Sequence, residues 1–333
     1  MTESSGSKRA RAGSPLLIAG GALLGALLFA YTLYTAGPAE IFGGIRRIGL
    51  GFVAVLLLSG FRMAVRAKAW SMCVDQSERF TFREAFVAFV TGDAIGNVTL
   101  LGPVASESAK AILVRRQLPI GSAVSSVVLE NIYYSISVAV MVAVGTLAFL
   151  LGFRPTAGPL TVSVSISAVA IVAIILVWWA LSTQPRVLSR FLHHDAVRSA
   201  EDRIFSFVSA RRDRLAGILA FEFSFHVSAV LEIYVLLSLL VPNTPRLLLL
   251  AVVLETVERL ITIVFKFVPL RLGVDQFGSG QMADILGLGS PIGITLATVR
   301  TARNLFWAIV GLLLLLKRGL SMKAVVREAE QEI

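Results

Sequence analysis

The chain is built from apolar runs too long for a fold that faces water. Residues 14–37, 46–68, 120–151, 160–181, 215–241, 247–268 and 292–316 each run close to or beyond the ~20 residues of a bilayer-crossing helix. Hydrocarbon offers the backbone no hydrogen bonds, so a helix, which satisfies its own N–H and C=O groups, is the form such runs take. They predict an all-α polytopic membrane protein. Residues 14–37 exceed the ~7–15 apolar residues of a secretion leader, and no small-residue cleavage site precedes a soluble body, so they read as a first span. Only 16% of residues are charged and 56% are hydrophobic, with mean hydropathy +0.80. A soluble chain, at ~25% charged, must wet its whole surface. A soluble enzyme and a disordered tail protein are therefore excluded. The single Cys73 excludes a disulfide framework.

The net charge of +10 does not point to nucleic acid, because no soluble basic face is available to carry it. In membrane proteins Lys and Arg collect in cytoplasmic segments, against anionic lipid heads. Lys8, Arg9 and Arg11 place the basic tail 1–13 inside. Arg66, Lys68, Arg79 and Arg83 place the next-but-one connection inside as well. The polar insert 184–214 agrees, with Arg186, Arg190, Arg198, Arg203, Arg211, Arg212 and Arg214. Its apolar Val187, Phe191, Ile204, Phe205 and Val208 are consistent with an amphipathic helix on the inner surface, or with an ordinary cytoplasmic linker. Seven crossings would put the C-terminal tail 317–333 outside, whereas Lys317, Arg318, Lys323 and Arg327 favour the inside. An eighth crossing would remove the conflict, so seven or eight transmembrane helices are expected.

Two remaining segments are apolar but broken. Residues 84–116 contain Gly92, Gly96, Gly102 and Pro103, with Asp93, Asn97, Ser106, Glu107 and Lys110 among them. Residues 269–290 hold Gly273, Gly278, Gly280, Gly287 and Gly289, with Asp275, Gln276, Gln281 and Asp284. Non-helical backbone at membrane depth is tolerated only where protein buries it or water lines it. Helix N-termini exposed at such breaks favour anions, and paired breaks in two halves mark transporter sites. Broken or re-entrant helices are expected, the alternative being interfacial loops. Pro119-Ile120-Gly121 and Pro291-Ile292-Gly293 each follow a break and open a long span, which is compatible with a pseudo-symmetric repeat without establishing one.

Charges inside the spans need partners or water. Asp93, Asn97, Glu107, Lys110, Glu130, Asp275, Gln276, Arg300 and Arg303 are the candidate substrate or translocation residues. Arg300 and Arg303 share a helix face with Asn304 and suit an anionic head group, or equally an internal ion pair. Glu255 and Arg259, four apart, read as a structural ion pair. Glu222 and His226 have the same spacing and read as a structural couple, with a proton relay as the alternative. Arg62 and Arg66 read as snorkelling to the cytoplasmic surface. There is no H-E-x-x-H, phosphate-binding loop or D-x-D pair, and His193-His194-Asp195 reads as solvated surface. No metal, cofactor or catalytic constellation is expected.

These motifs resemble the lysylphosphatidylglycerol synthase transmembrane family, also called flippase-like membrane proteins. The resemblance rests on Gly92-Asp93, Gly96-Asn97, Leu101-Gly102-Pro103 and Ser106-Glu107 in the first break. It rests also on Pro269 to Val274 in the second, on arginine near the end of the second span, and on Arg300. Gln276 stands near where the pattern has a glutamate. The resemblance would cover residues 14–316 and implies a membrane domain that moves a lipid between leaflets. Some members add a cytoplasmic synthase that aminoacylates phosphatidylglycerol. The tail 317–333 is too short for one, so tRNA and aminoacyl transfer are not expected here. The leading expectation is a bacterial-type inner-membrane flippase for a phospholipid or lipid-linked molecule. Its partners would be anionic lipids at the cytoplasmic face, a second copy of the chain or a separate synthase, and not nucleic acid. A membrane-embedded enzyme or enzyme subunit of lipid or polyprenol modification, and a scaffold of a lipid-synthesis complex, are the alternatives.

Overall fold

The computed structural model describes residues 37–75, 78–99, 102–153, 157–184, 195–265 and 268–317, with Leu27, Ala30, Tyr31 and Tyr34. The expected tails 1–13 and 318–333, most of the expected first span and residues 185–194 lie outside them. Among the described residues the structure has eleven α-helices, one short 3-10 turn and no strand. They are α1 (Pro38–Ile48), α2 (Gly51–Met72), α3 (Phe82–Val98), α4 (Gly102–Leu113), α5 (Ile120–Phe153) and α6 (Ala157–Thr183). Then follow α7 (Asp195–Ala210), α8 (Arg212–Leu240), α9 (Leu247–Val264), the 3-10 turn Pro269–Arg271, α10 (Val274–Ile285) and α11 (Ser290–Lys317).

Four of these helices, α5, α6, α8 and α11, are long and apolar enough to cross a bilayer. A fifth span is added if α1 and α2, bent by 75° at Gly49-Leu50, are taken together. Gly49 sits at φ +42, backbone that favours a residue without Cβ. The expected run 46–68 is therefore broken near its start. The run 247–268 ends at Val264, and α9 carries Glu255, Glu258 and Arg259 within its 18 residues. At 1.5 Å per residue it is about 27 Å long, short of a full bilayer.

Side-chain contacts order the bundle. The pairs Gly51–Leu239, Arg62–Glu232, Arg66–Glu222 and Gly217–Met72 run in opposite directions along α2 and α8, so these central helices are antiparallel. α5 lies antiparallel to α2 through Arg66–Glu130 and Trp70–Ser126. α9 lies antiparallel to α5 through Tyr134–Arg259, Gly145–Thr256 and Gly152–Leu249. One end of the bundle gathers Trp70, Val74, Leu113, Leu118 and Leu315. The other gathers Ile48, Phe149, Leu240, Leu250, Leu286 and Leu296.

The first broken segment, 84–116, is a helical hairpin; the second, 269–290, supplies only one arm and pairs with α9 from the expected span 247–268. α3 starts on a capping box: the Thr81 hydroxyl accepts from the Glu84 amide, and the Glu84 carboxylate accepts from the Thr81 amide at 2.8 Å. α3 ends at Val98, and α4, from Gly102, returns beside it. A Cβ on Gly96 would lie 2.8 Å from the Gly102 carbonyl, and one on Gly92 2.9 Å from the Ser106 carbonyl, so only glycine allows this spacing. α10 likewise returns beside α9, with Ile261 against Gly278, and then packs antiparallel on α11. A Cβ at Gly293 would collide with the Ser279 carbonyl, and one at Gly311 would lie 2.6 Å from the Val90 carbonyl of α3. The first hairpin opens toward the Trp70–Leu118 end and the second toward the Phe149–Leu286 end.

Because rigid backbone carbonyls face them, Gly293→Val and Gly311→Val should each lower stability by about 1–3 kcal/mol. Gly43→Ala, where a Cβ meets nothing within 4 Å, should leave it unchanged or slightly raised. Thermal unfolding of the detergent-purified variants measures this.

Candidate functional site

The tips of the two hairpins approach each other at a polar cavity of about 270 Å³. Asp93, Asn97, Gly102, Ser106, Glu107 and Lys110 line it from the first hairpin, and Glu258, Arg259, Thr262 and Arg271 from the second. Arg62 and Arg66 of α2, Asn131 and Tyr134 of α5, Phe225 of α8, and Arg303 and Asn304 of α11 complete most of the wall. The basic side chains at its surface are Arg62, Arg66, Lys110, Arg259, Arg271 and Arg303; the acidic ones are Asp93, Glu107 and Glu258.

The compensating carboxylates stand behind this wall. Arg62 donates to Glu232 at 3.1 Å, and Arg303 donates to the other oxygen of the same carboxylate. Arg66 donates to Glu130 through Nε at 2.9 Å and Nη2 at 2.6 Å. Arg259 donates to Glu255 at 2.6 Å, and Arg271 to Asp275 at 3.1 Å. Arg300 donates to Glu258 and lies 3.9 Å from Glu255. Glu130, Glu222, Glu232 and Glu255 are all buried and none borders the cavity. Removing one member of such a pair leaves a buried charge uncompensated, at about 3–5 kcal/mol.

Aromatic rings fill the gaps between the cations. The Phe225 ring has Arg62 at 4.5 Å, Arg259 at 5.2 Å and Arg66 at 5.7 Å. Arg66 also lies 3.7 Å over the Tyr134 ring, and Lys110 4.1 Å over Phe89. A ring face attracts a cation without neutralising it, so these contacts hold the cations in place without adding a counter-charge. Gly92 sets Lys110 in place, since a Cβ there would meet Lys110 Cγ at 2.6 Å. Glu107 accepts from Lys110 at 2.9 Å and from Asn131 at 2.9 Å, and Asn97 donates to Asp93 at 3.1 Å.

Of the residues singled out from sequence, Asp93, Asn97, Glu107, Lys110 and Arg303 face the cavity together. Glu130, Asp275 and Arg300 stand behind it as ion-pair partners. Gln276 is fully buried; its carbonyl accepts from the Gly273 amide at 2.7 Å and its amide donates to Thr301 at 3.0 Å. The expected pair Glu255–Arg259 is formed. His226 pairs with Ser137 at 3.0 Å rather than with Glu222. The expected snorkelling of Arg62 and Arg66 is corrected: both turn inward to buried carboxylates, where an ion pair costs less than reaching past a turn or more of apolar helix. Phe225, Tyr134 and Arg271 were not singled out. Only Arg271 left a signal, a cation inside a break. No group of acids, histidines and cysteines suited to a metal occurs among the described residues.

The family model described as the lysylphosphatidylglycerol synthase TM region matches residues 17–312. The match covers most of the chain, and the protein belongs to that family. No curated protein and no solved structure matches it. With its membrane-crossing helices, the chain is a multi-pass membrane protein.

Glu232 serves two arginines at once, so Glu232→Ala should lower stability by about 3–5 kcal/mol, more than Glu40→Ala on the exposed face of α1. Chemical unfolding in detergent, followed by far-ultraviolet circular dichroism, checks the ranking.

Proposed function

We propose that this member of the family moves a lipid, or a lipid-linked molecule, with an anionic or polar head group between membrane leaflets. The head group occupies the cavity while the acyl chains stay in the bilayer. The observation that carries this reading is the placement of charge: cations and aromatic rings at the cavity surface, most of their carboxylates behind it. A phosphate entering there meets several N–H donors already held in place, and charge-assisted hydrogen bonds of this kind are the strong ones.

The hairpins supply the geometry such transport needs. We read α3–α4 as re-entrant from one side and α9–α10 as re-entrant from the other. α2 to α5 and α8 to α11 then form two halves of opposite orientation, with a long helix, a hairpin and a second long helix in each. Both short arms, α4 and α10, have 12 residues, and the helix after each begins near a Pro-Ile-Gly triplet. Inverted halves that meet at a central site permit rocking between two open states. On this reading α9 does not cross. Residues 14–37 with α2, α5, α6, α8 and α11 make six crossings in place of the expected seven or eight. Both tails then lie on the cytoplasmic side of an inner membrane, as their lysines and arginines favour. The exposed Arg198 of α7 lies on that same side, toward anionic lipids.

Reconstituted in liposomes, the protein should move fluorescent phosphatidylglycerol across the bilayer. Lys110→Ala or Arg271→Ala should slow this about 10–100-fold, the equivalent of one lost charge-assisted bond of ~1.5–3 kcal/mol. Lys68→Ala, on the exposed side of α2, should leave the rate unchanged. Failure of the wild type to move any labelled lipid removes the reading. The topology has its own check. In a Cys73→Ala background, Asn243→Cys should react with an impermeant thiol reagent added outside intact cells, and Ser199→Cys only after permeabilisation.

A further inference from the structure

Among the described residues, one buried acid of the ion-pair network has a cation nearby but no hydrogen bond from it. Glu222 on α8 is 0% exposed, and among the described residues neither of its carboxylate oxygens has a hydrogen-bond partner. Its nearest cation is Arg66, whose Nε lies 3.7 Å from one of those oxygens. That same Nε, with Nη2, donates to Glu130 at 2.9 and 2.6 Å. Two buried carboxylates thus converge on one guanidinium; only Glu130 accepts hydrogen bonds from it, and Glu222 lies close enough to Glu130 for a proton on Glu222 to bridge the two. A desolvated carboxylate without donors is costly, and binding a proton removes most of that cost.

Arg66 also lines the cavity. Its Nε and Nη2 are held by Glu130 and its guanidinium lies over the Tyr134 ring, which leaves Nη1 as the nitrogen for an incoming anion. We propose that Glu222 is a proton site coupled through Arg66 to head-group binding, so that about one proton is taken up for each anion bound. This rests on the cavity's being the head-group site. When Glu222 takes a proton from solution, Arg66 loses one of its two anionic neighbours and turns to the anion. The charges balance. Arg66 with Glu130 and Glu222 both ionised carries one net negative charge. Arg66 with Glu130, neutral Glu222 and a monoanionic head group carries the same. The anion and the proton therefore enter together without charging the bilayer interior, and a proton gradient can drive the lipid. By linkage the effect is reciprocal: lowering pH tightens anion binding as much as anion binding favours the proton.

The groups around Glu222 decide whether it, rather than a neighbour, takes the proton. α2 contributes Arg66 and the buried Cys73, α4 contributes Lys110, and α5 contributes Glu130. Glu107 of α4 and Tyr134 of α5 act on Arg66. α7, which touches α8, carries the buried Glu201. Glu255 and Arg259 of α9 act on His226, and Arg303 of α11 is held by Glu232, both further along α8. α1 meets α8 as well, with its acid Glu40 exposed. Of the acids close to Arg66, Glu130 has two hydrogen bonds from it, and Glu107 has Lys110 and Asn131. His226 uses Nε2 on Ser137, stacks on Tyr134 and meets Phe225 edge-on; its Nδ1 has no partner among the described residues, which makes it the competing proton site.

The test measures protons directly. Detergent-purified protein in weakly buffered solutions at a series of pH values, from neutral upward, is titrated with dihexanoyl phosphatidylglycerol in one arm and inorganic phosphate in the other. A pH-sensitive dye follows protons, and calorimetry follows binding. At pH values above the site's titration the wild type should take up about one proton per anion bound, and there its affinity should fall about tenfold for each pH unit. The arm that binds identifies a lipid head group or free phosphate as the ligand. Glu222→Gln, isosteric with the protonated acid, should bind with a pH-independent affinity equal to the wild type's at low pH, and take up no proton. His226→Asn should keep the proton. Binding by the wild type with no proton uptake overturns the inference while leaving the head-group site standing. No binding in either arm overturns both. Uptake that survives Glu222→Gln but is lost in His226→Asn moves the proton to the histidine and overturns the assignment.

Discussion

A charge at the centre of a bilayer costs at least ~2.5–3.5 kcal/mol, and this protein keeps a whole set of them between its helices. Arg62, Arg66, Arg259, Arg271, Arg300 and Arg303 all meet carboxylates there. Arg62–Glu232 ties α2 to α8 across the two halves, while Arg66–Glu130, Arg303–Glu232 and Arg300–Glu258 join α2 to α5, α8 to α11 and α9 to α11 within a half. Arg259–Glu255 and Arg271–Asp275 are local, four residues apart. A buried ion pair is weak evidence of net stability, but it is strict about partners, since any other register strands a charge. The neutralising network also fixes which helix faces line the cavity and leaves more cations than acids at its surface.

Glycine makes this arrangement reachable. The arms of both hairpins and the helices beside them approach until backbone carbonyls occupy the space a Cβ would fill, at Gly92, Gly96, Gly293 and Gly311. Without a hydrophobic drive between helices in lipid, such close packing is a main source of association. It also has a geometric consequence. A hairpin that returns to its starting side places its turn, and the polar groups near it, between the two membrane faces. Asn97 and Gly102 at one tip and Thr262 and Arg271 at the other line the same cavity, and on the proposed re-entrant reading this is how they reach it.

Some of the site was legible in advance. Asp93, Asn97, Glu107 and Lys110 stand out because polar residues beside glycines in an apolar run have few structural uses. Arg303 was equally visible, as a cation in a span. Arg300 belonged to the same stripe and yet stands behind the wall, because one helix face can serve two neighbours and periodicity does not say which. Arg62 and Arg66 resembled snorkelling residues because their partners, Glu232 and Glu130, are far away in sequence. Phe225 and Tyr134 were invisible, since an aromatic ring in a hydrophobic span is the ordinary case.

By itself the amino-acid sequence determined that this chain lives in a membrane, that it is helical, and where two of its helical stretches are interrupted, though not the bend at Gly49-Leu50. Those properties are local: hydropathy over about twenty residues, charge at the ends of runs, and glycine and proline where backbone must turn. Only the tertiary structure decided which charges pair, which face the cavity, and that Glu222, rather than one of the more conspicuous residues in the breaks, is the buried acid without a hydrogen bond among the described residues. Those are properties of distance between helices, and no local pattern encodes how two faces meet.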